Sequence, residues 1–190
     1  MKVTSAKFIK GLVGDDALLH DGTPQVAFVG RSNVGKSSLI NALTTTSVSR
    51  TSSYAGSTQE INVFLVNDSF YLMDLPGYGF ARASGLGRAK IGDLIDTYIF
   101  DPKYHHHKVV LLVDANVGMT DKDISMFEEL RAAGKDVVVA PSKIDKLNQS
   151  DMHKSMKEIE RIAYGATIIP FSSKTKRGIE ALAEAVFTLA

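Results

Sequence analysis

Residues Gly30-Arg31-Ser32-Asn33-Val34-Gly35-Lys36-Ser37 carry the spacing G-x-x-x-x-G-K-[ST] in full. The two glycines allow a tight turn whose successive backbone N–H groups point inward, where they can surround phosphate oxygens. Lys36 is placed to reach the β- and γ-phosphates, and the Ser37 hydroxyl to sit on Mg²⁺. The helix that starts here and runs through Ser38 aims its positive end at the same anion. Such a loop has to leave a strand and enter a helix. Gln25–Val29 reads as a buried strand and Ser38–Leu43 as a helix, so the neighbours supply that setting.

Three further segments could complete a nucleotide site. Leu72-Met73-Asp74-Leu75-Pro76-Gly77 is an apolar strand ending in Asp-x-x-Gly. Asp74 can hold Mg²⁺ through a water, and the Gly77 N–H can contact a γ-phosphate because a residue without a side chain permits close approach. Pro141-Ser142-Lys143-Ile144-Asp145 follows a Val137–Val139 strand. A carboxylate at Asp145 can accept from both guanine N1–H and the exocyclic amino group, a donor pair that adenine lacks, while the Lys143 stem covers a face of the base. Phe171-Ser172-Ser173 follows the last strand, with hydroxyls and N–H groups suited to guanine O6 and to bracing Asp145. Gly56-Ser57-Thr58 lies in a Ser/Thr/Gly-rich stretch from Thr44 to Thr58. It reads as a switch loop that closes when Thr58 meets Mg²⁺ and the γ-phosphate.

These segments need a sheet to align them. From residue 24 onward strand and helix signals alternate. The strands expected after the first are Glu60–Val66, Ser69–Met73, Lys108–Asp114, Asp136–Pro141 and Ala166–Phe171. The helices are Lys36–Leu43, Gly87–Ile99, Asp121–Ala133, Ser150–Tyr164 and Gly178–Leu189. Val66-Asn67-Asp68-Ser69 reads as a hairpin turn, and the other connections as parallel crossovers. The expectation is an α/β, three-layer domain: a six-stranded, mostly parallel sheet with one antiparallel edge pair and helices on both faces. Every candidate segment then falls at one rim, where ligands of such sheets gather. Residues 1–22 are expected as an N-terminal extension packed on a domain of residues 23–190.

Bulk properties narrow the function classes. At 190 residues, 44% apolar and 23% charged, the chain is a globular protein of one domain. It has no cysteine, which excludes disulfides, thiolate metal sites and a Cys nucleophile. No apolar run reaches the length of a membrane span and the N-terminus lacks a signal-peptide core, so a cytoplasmic protein with no membrane partner is expected. A net charge of +1 provides no overall field for nucleic acid, so any basic contact surface is local.

Taken together, the motifs resemble those of the translation-factor-related P-loop GTPases, and most closely the EngB (YihA/YsxC) family of ribosome-biogenesis GTPases. The resemblance covers almost the whole chain. It rests on Gly30–Ser37 with Ser38-Leu39-Ile40-Asn41-Ala42-Leu43, on Gly56-Ser57-Thr58-Gln59, on Asp74-Leu75-Pro76-Gly77-Tyr78-Gly79-Phe80-Ala81, on Lys143 and Asp145, and on Phe171-Ser172-Ser173. It implies a P-loop GTPase fold, GTP/GDP and Mg²⁺ as ligands, and Lys36, Thr58 and Gly77 as the catalytic contacts. It also implies a monomer acting on the large (50S) ribosomal subunit or its precursor. Two positions depart from the family pattern: Ser142 stands where Thr or Asn is usual, and Ser57 where Arg is usual.

Tyr78 occupies the position where many GTPases place a water-orienting Gln, so slow intrinsic hydrolysis is expected. Asn33 is a candidate ligand for K⁺, which would supply the missing charge. Arg31 belongs to the loop's binding backbone, with its side chain free to face solvent or a partner. Asp114 reads as a turn carboxylate, and His105-His106-His107 as an exposed polar turn. Arg82, Arg88 and Lys90, and then Lys174, Lys176 and Arg177, are basic clusters flanking the rim that could meet ribosomal RNA phosphates. Three other readings remain open: a GTPase of the same superfamily with another target, a GTP/GDP-sensing module with negligible turnover, and an ATP-dependent kinase, against which Lys143 and Asp145 argue.

Overall fold

In the computed structural model the described residues are 3–44, 60–78 and 85–188, the side chains of residues 85–88 excepted. The strands are β1 (Ala6–Leu12), β2 (Gln25–Gly30), β3 (Ile61–Val66), β4 (Phe70–Asp74), β5 (His106–Asp114), β6 (Val137–Ser142) and β7 (Thr167–Ile168). The helices are α1 (Lys36–Leu43), α2 (Gly85–Phe100), α3 (Asp121–Ala132), α4 (Gln149–Ile162) and α5 (Ile179–Phe187). The strands form one sheet in the order β1-β3-β4-β2-β5-β6-β7. Parallel pairing links β4 to β2, β2 to β5, β5 to β6 and β6 to β7, while β3 is antiparallel to both β4 and β1.

The apolar run of β5 explains the three layers. Successive strand side chains face opposite ways. Val109, Leu111 and Val113 pack with Ile95 and Tyr98 of α2, Phe127 and Leu130 of α3 and Ile159 of α4. Val110 and Leu112 pack with Leu39 and Ile40 of α1 and Leu182 and Val186 of α5. With both faces covered, every position from Val109 to Val113 is buried, and alternation in the sequence disappears. Because β2 lies between β4 and β5, the chain leaves β2 at the point where the strand order reverses, the place where open α/β sheets leave a crevice for ligands.

The α/β class and the antiparallel β3–β4 pair are as the sequence implies. The sheet differs in having seven strands rather than six, because Ala6–Leu12 is a strand of the sheet itself and extends the antiparallel edge. Its register shifts between Phe8 and Lys10, so the period-2 alternation that marks a strand is broken in mid-segment. β7 is shorter than the expected Ala166–Phe171. Ile169 and Phe171 still donate to Val139 O and Pro141 O, but Pro170 has no N–H with which to continue a regular ladder.

Of the histidine triplet only His105 is exposed and outside the sheet, as its polarity suggests; β5 begins at His106. The His106 ring meets the Tyr98 ring edge-on, with centroids 4.7 Å apart, and its Nδ1 is paired with Lys135 Nζ at 3.2 Å. Burial, reinforced by the Lys135 charge, pushes the imidazole pKa down to about 3, so His106 is a neutral packing residue at pH 7. Nε2 of His107 is bonded to Thr188 O at 3.0 Å. Among the described residues no group of three His, Cys, Asp or Glu is arranged to hold a metal ion. None of the described helices is long and apolar enough to cross a membrane.

Candidate nucleotide site

β2 is buried along its whole length and stops at Gly30. A Cβ there would come within 2.8 Å of Leu112 O and 3.0 Å of Val34 Cγ1, so only glycine fits against β5. The chain then turns through two left-handed residues, Asn33 at φ 63 and Gly35 at φ 111, before α1 begins at Lys36. The turn leaves a row of donors. Among the described residues, the N–H groups of Asn33, Gly35, Lys36, Ser37 and Ser38 have no backbone acceptor, whereas those of Ser32 and Val34 bond Tyr78 O and Arg31 O. Consecutive unpaired donors at a helix N-terminus form an anion-binding concavity.

Lys36 is buried in the same turn. Burial lowers its ammonium pKa, and the Asp74 carboxylate opposes that shift. Asp74 is buried at the end of β4, in register with Phe28 of β2, and Leu75 N–H continues the contact by donating to Phe28 O at 3.2 Å. Leu75 and Pro76 are buried and carry the chain to Gly77 beside Ser32. Because β2 and β4 are parallel neighbours, Lys36 and Ser37, which follow β2, and Asp74, which ends β4, lie at the same rim of the sheet.

The Ser142–Asp145 segment is fastened to the Gly30–Ser37 loop more closely than the sequence reveals. Ser142 is buried, and its Oγ donates to Val34 O at 2.7 Å. The hydroxyl that Ser shares with Thr is therefore used inside the protein. Lys143 adopts φ 60, and its Nζ donates to Asn33 O at 2.8 Å and to Asp114 Oδ2 at 2.7 Å. Asp114 also accepts from Asn116 N–H, the turn contact that its sequence suggests, but its ion pair with Lys143 links β5 to both loops. Ile144 is buried, which turns Asp145 outward to an exposed position. Ser172, itself buried, donates its Oγ to Asp145 Oδ1 at 2.6 Å. That bond is the chief cause of a carboxyl pKa below the usual range, so Asp145 is an anion with one oxygen braced. Phe171 is buried beneath the loop and Ser173 is half-buried beside Ser172.

Some expected contacts lie elsewhere. Gly56, Ser57 and Thr58 are outside the described residues, as are Arg82 and the Arg88 side chain. The Arg31 side chain is only partly exposed and is not free to follow solvent or a partner: its Nε lies 3.1 Å from Oδ2 of the buried Asp123 on α3. The Tyr78 phenol also turns away, donating to Asp123 Oδ1 at 2.7 Å. Asp123 is the residue that sequence reasoning missed, its only sequence signal being the helix-cap spacing Thr120-x-x-Asp123.

A strand–loop–helix phosphate nest, an acidic strand end and a braced exposed carboxylate on one rim define a P-loop GTPase. The comparisons agree. The family model described as "50S ribosome-binding GTPase" matches residues 25–143. "Probable GTP-binding protein EngB" of Clostridium perfringens strain 13 is 40% identical over 191 residues, covering 98% of this chain and 96% of that protein. The protein of the same name from Geobacillus kaustophilus is 41% identical over 182 residues, covering 94% and 93%. A crystal structure of a probable GTP-binding protein engB superposes with a TM-score of 0.72 at 25% identity, covering 86% of this chain and 96% of that one. Era from Aquifex aeolicus, bound to GDP and aluminium fluoride, gives the same TM-score at 25% identity over 85% of this chain and 55% of its own. The chain belongs to the EngB family, and it is a GTP-binding protein that hydrolyses GTP.

Proposed function

We propose that this GTPase is a slow, Mg²⁺-dependent nucleotide switch that acts in the cytoplasm on the large (50S) ribosomal subunit or its precursor. The observation that carries the nucleotide part is the set of N–H groups of Asn33, Gly35, Lys36, Ser37 and Ser38, which have no backbone acceptor among the described residues, beside a buried Lys36. The family description, a 50S ribosome-binding GTPase, supports the target. Exposed Lys174, Lys176 and Arg177 follow Ser172 on the guanine loop, where nucleotide-dependent shifts would reach an RNA phosphate.

The donor set fits Mg²⁺, a hard cation that prefers oxygen ligands and keeps several waters. The Ser37 hydroxyl and the Asp74 carboxylate, the latter through water, would hold it, with Thr58 as a further ligand. When bound, the ion would neutralise charge on the β- and γ-phosphates. Lys36 adds a second positive charge there, and the Gly77 N–H donates to the γ-phosphate. Asn33 is the proposed ligand for K⁺. Hydrolysis depends on positioning and charge stabilisation. With the Tyr78 phenol committed to Asp123, no group at that position orients the attacking water, and this supports a low intrinsic rate.

The test is co-sedimentation of the full chain with 50S particles in a non-hydrolysable GTP analogue and in GDP. Association in the analogue and release in GDP are expected, and no association in either state would remove the ribosomal assignment. Turnover of the same preparation in K⁺ and Na⁺ buffers reads the Asn33 assignment: faster turnover in K⁺ is expected, and equal rates would exclude it.

A further inference from the structure

Asp123, near the N-terminus of α3, is fully buried, yet its carboxylate meets three separate parts of the chain. Oδ2 accepts from Thr120 N–H at 2.9 Å, one of the two contacts of a capping box, and from the Thr120 hydroxyl at 2.7 Å. Arg31 Nε of the phosphate loop lies 3.1 Å from the same oxygen. Oδ1 accepts from the Tyr78 phenol at 2.7 Å. Capping alone explains the first pair and not the other two. A cap carboxylate ordinarily sits at the surface; this one joins a cation and a phenol from the two segments that flank a γ-phosphate.

Those two segments are also joined through their backbones. Tyr78 N–H donates to Gly30 O at 3.3 Å, and Ser32 N–H donates to Tyr78 O at 3.2 Å. Gly77 is pressed onto the loop, since a Cβ on it would come within 2.8 Å of Ser32 N, Cα and Oγ. Among the described residues the Gly77 N–H itself has no backbone acceptor, while those of Leu75 and Tyr78 are bonded to Phe28 O and Gly30 O. The orientation of that free donor depends on how firmly Tyr78 is held. The backbone contacts hold Tyr78 at one end and Asp123 holds it at the other.

We propose that Asp123 is a positioning residue of the GTPase site: by fastening Tyr78 and Arg31 to α3, it fixes the Gly77 N–H where the γ-phosphate of GTP meets it. This rests on the reading of Gly77 as a γ-phosphate donor. GDP has no γ-phosphate, so the effect of Asp123 falls on GTP binding and turnover and spares GDP. Tyr78 acts here as a tether and not as a group that handles water. Burial and the adjacent carboxylate push its phenol pKa far upward, which keeps it a neutral donor to Asp123.

The experiment compares the full chain with Asp123→Ala, Asp123→Asn, Tyr78→Phe and Gly77→Ala. Affinities for GDP and for a non-hydrolysable GTP analogue, single-turnover rates and thermal melting are measured on each. Asp123→Ala is expected to lower the GTP-over-GDP preference about tenfold and the turnover rate by at least as much. Tyr78→Phe is expected to lower the preference about threefold. Asp123→Asn recovers part of the loss, because its amide oxygen still accepts from Tyr78. If Asp123→Ala does not fold, the Asn and Phe variants carry the comparison. Equal weakening of both nucleotides, or an unchanged preference in the Asp123 and Tyr78 variants, would overturn the role of Asp123 wherever Gly77→Ala still lowers the preference. An unchanged preference in Gly77→Ala would instead overturn the reading of Gly77 on which the proposal rests.

Discussion

Replacing Lys36 with Ala is expected to weaken GTP binding by two to three orders of magnitude and to reduce hydrolysis below detection. Lys36 is buried at the start of α1, where the unpaired N–H groups converge. In water an ammonium–phosphate contact is worth little, but here the anion would lie against a protein surface that excludes solvent. Removing one partner of such a pair leaves an uncompensated buried charge, which costs about 3–5 kcal/mol. At 1.4 kcal/mol per tenfold change this is a loss of about a hundred- to a few-thousandfold. Titration with a fluorescent GTP analogue and phosphate release under saturating GTP measure the two effects. The Lys36→Ala variant is expected to keep its fold. Burial already disfavours the ammonium, and losing it removes that penalty. Near-normal GTP affinity in the folded variant would show that the nest binds its ligand without the lysine.

The second large effect is one of selectivity. Asp145→Asn is expected to weaken GTP binding by about thirtyfold to a few-thousandfold and to shift preference toward XTP. One Asp145 oxygen already accepts from Ser172, so the carboxylate is oriented before the base arrives. An Asn oxygen can keep that bond, and the fold is therefore retained. The other side of the group changes from acceptor to donor: it would oppose the guanine amino group and suit the carbonyl that xanthine carries in its place. Loss of a charge-assisted pair of this kind typically costs 2–5 kcal/mol. Competition binding with GTP, XTP and ATP reads the change, and unchanged selectivity would refute the assignment of the base.

The parts of the site that were legible in the sequence are those fixed by local constraints. Gly30 and Gly35 are required by a close approach to β5 and by a left-handed turn, so their spacing announces the loop without any tertiary knowledge. The continuous apolar run of β5 announces a strand covered on both faces. What stayed hidden depends on partners far away in sequence. β1 is an edge strand with a mid-strand register shift, and its pattern is recognisable only against β3. His106 reads as polar but is neutral in a pocket formed with Tyr98 and Lys135. Asp114 reads as a turn carboxylate until the left-handed Lys143 brings its ammonium across from β6. Asp123 reads as a helix cap, and its contacts with Arg31 and Tyr78 arise only when α3 packs beside the phosphate loop.

In the proposed GTP-specific site the Asn33–Ser38 nest and Lys36 hold the phosphates while Asp145 selects the base. Equilibrium titration of the full chain with GTP, GDP and ATP in Mg²⁺ tests it most directly. GTP and GDP are expected to bind at least about thirtyfold more tightly than ATP, in line with the ~2–5 kcal/mol carried by a charge-assisted contact to the base. Equal affinities for GTP and ATP, or tighter binding of ATP, would contradict it.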